Sequence, residues 1–163
     1  MEDGRTIIVA LDGSHHSDYA FDWYLNNSKK DGDNVVIVTC FDKHHAHHGH
    51  GSDDVQEVTT KLQTDLDTHK SQADSFKEKL RKAGVKGDVV ASAGKPGEVV
   101  VHVASERNAS MIICGTRGHG AIRRTLMGSI SNYIVHHSTI PVVVCRSKAH
   151  HDPANEHHNK HHS

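Results

Sequence analysis

The stretch from Gly115 to Ser129, GTRGHGAIRRTLMGS, sets glycines, three arginines and a closing Gly-Ser pair directly after the apolar run Met111 to Cys114. Glycine has no side chain to hold a ligand away from backbone N–H groups, and the positive end of a helix favours negative charge. Gly115 and Gly118 are spaced to permit a turn whose successive N–H groups form an anion-binding nest. Ser129 and Ser131 stand where the next helical pattern begins, and each can add a hydroxyl donor there. Arg117, Arg123 and Arg124 can neutralise phosphate or stand as solvated surface charges. The chemistry in view is the binding of a phosphorylated ligand, and its rival is a glycine turn with a purely structural purpose.

Other constellations carry less. Ser14, His15, His16 and Asp18 have the residue types of a hydrolase triad, but such relays are assembled from distant segments. Ser14 and Ser17 are better read as caps of the first helix. The run GKPGE at residues 94–98 lacks the spacing of a P-loop. His44, His45, His47, His48 and His50 lie close enough for several imidazoles to reach one zinc, nickel or copper ion. Without Cys or carboxylate spacing, three readings of that run stay open: adventitious metal affinity, a plain solvated loop, or a metal or pH sensor. Cys40, Cys114 and Cys145 each fall inside an apolar run, which points to free thiols in a core. Two Asn-x-Ser triplets, at Asn26 and Asn108, are chance matches without a secretory context.

The elements that must position these residues alternate. Thr6 to Leu11 (TIIVAL) and Val35 to Phe41 (VVIVTCF) are continuous apolar runs of the kind buried on both faces of a parallel sheet. Between them, Ala20, Phe21 and Tyr24 recur at helical spacing. A long helix is expected from Val55 to Ala83, its apolar stripe running through Val58, Leu62, Leu66, His69, Ala73, Phe76 and Leu80 and packing on one side only. Gly84 is placed to end it. GDVVA (87–91) reads as a third strand, the segment from Pro96 as a helix, SMIIC (110–114) as a fourth strand, Ser131 to His137 as a short helix, and Val142 to Cys145 as a fifth strand. The expected fold class is α/β: one domain with a doubly wound, Rossmann-like, five-stranded and mostly parallel sheet. Ligands in such sheets bind beyond the carboxyl ends of the strands, where the strand order reverses.

Composition agrees. The 163 residues suit one core, with nineteen Lys and Arg against twenty Asp and Glu. At neutral pH that balance offers no electrostatic case for nucleic acid or membrane binding. The eighteen histidines make the charge depend on pH, by roughly ten units between pH 7 and 5.5. The opening residues lack the pattern of a secretory leader, and no window approaches a membrane span; a soluble, cytoplasmic protein is expected. The folded domain is expected over residues 1–147, with a mobile His-rich loop at 43–54 and a disordered His-rich tail at 148–163.

The spacing Gly115, two residues, Gly118, nine residues, Gly128-Ser129 resembles the G-x2-G-x9-G-[S/T] signature of the universal stress protein family. The likeness extends through VALDGS, GKPGEVVVHVASERNASMIICGTRG and SISNYIVHHSTIPVVVC, about residues 5 to 146. It implies ATP, or AMP or ADP, held at the strand ends, with Mg or Mn accompanying the phosphates. Asp12 would contact the ribose, and the backbone of Ala10, Leu11 and Cys40 would border the adenine. Cys114, Gly115, Thr116, Arg117 and Gly118 would follow the ribose and phosphates, and Gly128, Ser129, Ile130 and Ser131 would face the phosphate oxygens. The resemblance further implies a regulatory or sensor role with at most slow hydrolysis, and a homodimer through Val142 to Cys145. Two other functions remain: a metal- or pH-responsive module with vestigial nucleotide binding, and a slow Mg-dependent ATPase.

Overall fold

The computed structural model describes residues 4–41, 55–116 and 127–147. These form β1 (Thr6–Ala10), α1 (His15–Asn27), β2 (Asn34–Phe41), α2 (Val55–Lys82), β3 (Lys86–Ala93), α3 (Pro96–Glu106), β4 (Met111–Gly115), α4 (Ser129–His137) and β5 (Val142–Cys145). The strands lie in the order β3-β2-β1-β4-β5, and every pair is parallel. The chain winds outward from β1 to β3, then returns across the sheet to β4 and β5. Right-handed crossovers therefore put α1 and α2 on one face and α3 and α4 on the other.

The three central strands, β1, β2 and β4, bury both of their faces. Ile7, Val9, Val35 and Ile37 pack with Phe21 and Tyr24 of α1 and with Phe76 and Leu80 of α2. Ile8, Val36, Val38 and Ile112 pack with Val100 and Val103 of α3 and with Ile134 of α4. Burial on both sides removes any need for polar alternation, which is why these strands read as unbroken apolar runs. Local signals fix the helix ends. Ser14 caps α1 by accepting the Ser17 N–H, Pro96 occupies the first turn of α3, and Gly84 turns the chain after α2 at φ +66°.

The expectation that α2 packs along its whole stripe needs correction. Phe76 and Leu80 are 5% and 4% exposed, whereas Val55, Val58, Leu62 and Leu66 are 85%, 65%, 60% and 54% exposed. His69 of α2 stacks on Phe41, the last residue of β2. The fourteen residues of α2 before His69 therefore run past the strand ends, a projection of about 20 Å at 1.5 Å per residue. Apolar periodicity marked the face correctly, but the sheet is too short to cover it. No helix among the described residues is long and apolar enough to cross a membrane.

At the amino end of the sheet, a buried carboxylate ties three elements together. Asp33 accepts from Arg5 Nε at 2.9 Å, Arg5 Nη2 at 2.8 Å, the Tyr24 hydroxyl at 2.7 Å and the Lys30 N–H at 2.9 Å. Burial alone would push its carboxyl up, but hydrogen bonds from Arg5, Tyr24 and Lys30 outweigh that and hold it below the ordinary carboxylate range. The stability this supplies is present above the unfolded-state pKa of about 3.9 and fades as pH falls toward the lower folded value, because the unfolded chain takes the proton first. Asp33→Asn is expected to cost about 3 kcal/mol at pH 7, since it leaves Arg5 without a counter-charge. Urea unfolding at pH 7 and pH 3 checks this: the gap between parent and variant should narrow at the lower pH.

Candidate functional site

The reversal of strand order falls between β1 and β4, so a crevice opens there beyond the carboxyl ends. Ala10 pairs with Val38 and Val9 with Ile113. Carried two residues past Ala10, these registers set Asp12 level with Cys40 on one side and Thr116 on the other. Three adjacent strand ends thus present Cys40, Asp12 and Thr116 in a row at a strand spacing of about 4.8 Å.

Asp12 is held firmly in that row. Its Oδ1 accepts the Ser14 N–H at 2.9 Å, its N–H donates to Ser17 Oγ at 3.3 Å, and its carbonyl accepts from Gln72 Nε2 at 3.3 Å. The first of these closes an Asx turn that leads directly into the cap of α1. Leu11 is buried in the core and donates its N–H to the Val38 carbonyl at 3.0 Å, so only its backbone borders the crevice. Ala10 and Cys40 are half-buried. Cys114 and Cys145 are free thiols in opposite core layers. Burial, with the neighbouring Cys145, pushes the Cys114 thiol up to about 12, and burial pushes Cys145 to about 11. Neither is a thiolate near neutral pH.

On the far side of Asp12, β4 and α4 meet at Thr116. Its N–H donates to the Cys145 carbonyl at 3.1 Å, and its own carbonyl accepts from the Gly128 N–H at 2.7 Å and from Ser131 Oγ at 3.0 Å. The segment between Thr116 and Gly128 therefore leaves and returns through one hydrogen-bonded neck. Gly128 is the N-cap of α4, with no side-chain cap. The geometry of a helix start leaves the N–H groups of Ser129, Ile130 and Ser131 without intrahelical acceptors. Ser129 and Ile130 are exposed there, whereas Ser131 is buried.

Two sequence expectations change in detail. Gly115 does not open a turn: it is the last residue of β4, paired with Cys145. A Cβ at Gly115 would lie 2.7 Å from the His16 carbonyl oxygen, so the glycine is required by the approach of α1 to the strand end. The Ser131 hydroxyl does not point a donor at the crevice, because it donates to Thr116 and also lies 3.1 Å from the Gly128 carbonyl oxygen. Arg117, Gly118, Arg123 and Arg124 lie outside the described residues, as do His44, His45, His47, His48 and His50. Among the described residues no group of three or more His, Cys, Asp or Glu is disposed to hold a metal ion.

The contribution of α2 was not anticipated. Gln72 reaches Asp12, and the His69 imidazole stacks on the Phe41 ring with centroids 4.5 Å apart. The sequence places His69 on the apolar stripe of α2, and the structure puts it just where burial of that stripe begins. At the start of α4 the N–H groups of Ser129 and Ile130 have no intrahelical acceptor and a carboxylate stands one strand away, an arrangement whose chemistry suits an anion carrying polar groups. Gly115→Ala is expected to lose about 1–3 kcal/mol by overpacking against α1, read as a lower urea midpoint of the protein without ligand.

Comparison with known proteins agrees with this architecture. A putative universal stress protein of Staphylococcus saprophyticus is 29% identical over 148 residues, covering 88% of this chain and 84% of the relative. Among solved structures, the universal stress protein UspA from Lactobacillus plantarum superposes with a TM-score of 0.71 at 20% identity, over 90% of this chain and 100% of that one. A universal stress protein family protein from Arabidopsis thaliana, described with AMP bound, gives 0.65 at 17% identity, over 92% and 98%. At these identities the structures speak for the fold. The model of the universal stress protein family matches residues 4–146, and with the parallel sheet and its crevice at the β1–β4 reversal in place, the chain belongs to that family.

Proposed function

We propose that this protein binds an adenine nucleotide, ATP or its mono- or diphosphate, at the carboxyl ends of β2, β1 and β4, and acts as a regulatory module in the cytoplasm. The observation that carries the reading is the row Cys40, Asp12, Thr116 beside the open start of α4. Phosphate oxygens meet the N–H groups of Ser129, Ile130 and Ser131. The ribose hydroxyls lie against Asp12, and the base is bordered by the backbone of Ala10, Leu11 and Cys40. Cys114, Gly115 and Thr116 floor the path between sugar and phosphate, with Gly128 at the helix mouth; the family signature assigns Arg117 and Gly118 to the same ligand. The AMP bound to the related plant protein supports a ligand of this class.

A proline at the first helical position removes one phosphate-facing N–H without harming the helix, and Gly128 at φ −62°, ψ 158° already has the conformation a following proline requires. Ser129→Pro is therefore expected to weaken ATP binding about tenfold, the worth of one hydrogen bond to a charged group, with thermal stability unchanged. Calorimetric titration beside Ser129→Ala separates the backbone donor from the hydroxyl. Absence of ATP and AMP binding in the unaltered protein would refute the proposal.

We also propose a homodimer through Val142 to Cys145. β5 is an edge strand with three half-buried valines, and a bare apolar edge invites a partner strand. The Pro141 carbonyl accepts from Ile112 of β4 and the Cys145 carbonyl from Thr116 just after it, so strand alternation turns the backbone groups of Val142 and Val144 outward. Sedimentation at micromolar concentration should show a dimer. Val144→Pro, which removes an outward N–H and leaves the β4 pairing intact, should sediment as a folded monomer.

A further inference from the structure

The end of the crevice beside β2 is built by two elements distant in sequence. Strand alternation puts Thr39 and Phe41 on the face of β2 that carries Ile37, and Ile37 packs in the core layer of Phe76 and Leu80 of α2. Phe41 stacks on His69 at 4.5 Å with an interplanar angle of 29°. One turn along α2, Gln72 donates to the Asp12 carbonyl. Between the Gly13 turn and α2 lies an open groove of about 1050 Å³ that His69, Gln72 and Phe76 help to line. Thr39 is 4% exposed, and among the described residues its hydroxyl has no hydrogen-bonding partner.

Two of these facts describe an incomplete contact. Phe41 and His69 are both half-buried, so the stacked pair keeps aromatic surface at the edge of the crevice. A buried hydroxyl left unpaired costs about 1–3 kcal/mol, which a ligand atom or a bridging water recovers. The molecule that answers both is planar and aromatic, with polar atoms on its edge.

We infer that Phe41 and His69 form a wall that selects the base of the bound nucleotide, with Gln72 as a positioning residue that ties this wall to Asp12. The inference rests on the nucleotide reading above and adds α2 to the site. Phosphate at α4 and β4, sugar at β1 and base at β2 span two strand spacings, about 10 Å, a length that suits a nucleoside monophosphate. Stacking favours the larger ring system, so the wall prefers a purine over a pyrimidine.

Calorimetric titration of the full chain with AMP and CMP tests this in the parent, His69→Ala and His69→Phe proteins, with thermal melts to confirm that each is folded. The parent is expected to prefer AMP. His69→Ala should weaken AMP about tenfold, the usual worth of one base-stacking contact, and move the AMP-to-CMP preference toward unity, while His69→Phe restores both. Equal affinity of the parent for AMP and CMP, or an AMP preference unchanged in folded His69→Ala, overturns the base wall and leaves nucleotide binding standing. A parent protein that binds neither ligand overturns the nucleotide reading and the wall with it.

Discussion

The hydrogen bonds converging on Thr116 hold together everything around the crevice. Its N–H engages β5, while its carbonyl takes the Gly128 N–H and the Ser131 hydroxyl. One peptide group thereby sets the height of α4 relative to the end of β4 and closes the base of the segment between them. Because Gly128 spends its N–H here, the donors that α4 leaves without an intrahelical acceptor begin at Ser129. Gly115, one residue earlier, allows α1 to approach the same strand end. The crevice is therefore a product of backbone geometry, with side chains filling the gaps.

Its counterpart is the buried Asp33 cluster at the amino end of the sheet. There Arg5, Tyr24 and Lys30 satisfy one carboxylate completely, joining the residue before β1, the helix α1 and the turn into β2. The carboxyl end, by contrast, keeps helix donors and an aromatic pair open. The buried ion-pair cluster and the proposed binding crevice thus sit at opposite ends of the same strands, the usual division in open parallel sheets.

Much of this was legible in the residues. Five runs bounded by turn signals foretold five strands, and in β1, β2 and β4 double burial removes alternation. Ser14, Pro96 and Gly84 announced helix ends by local chemistry that tertiary packing did not override. Boundaries moved by a residue or two, as for α4, which begins at Ser129 and not Ser131. What stayed hidden depended on distance through space. Nothing in the sequence says that Gly115 faces His16, that Ser131 spends its hydroxyl on Thr116, or that Gln72 meets Asp12 sixty residues away. The stripe of α2 likewise recorded which face is apolar but not where the sheet beneath it stops.

That overhang has its own thermodynamic character. Before His69 the helix is held by its own ladder, by Thr59, Thr60, Thr64 and Thr68 reaching back to carbonyls four residues earlier, and by the Glu57–Lys61 pair. Local supports of this kind leave a short helix marginal in water. A single rod therefore joins two regimes, a second half packed into the core and a first half with little burial, the kind of difference that separates global from local opening. Amide hydrogens along α2 should accordingly grade from freely exchanging to fully protected, with the border near the residue that meets Phe41.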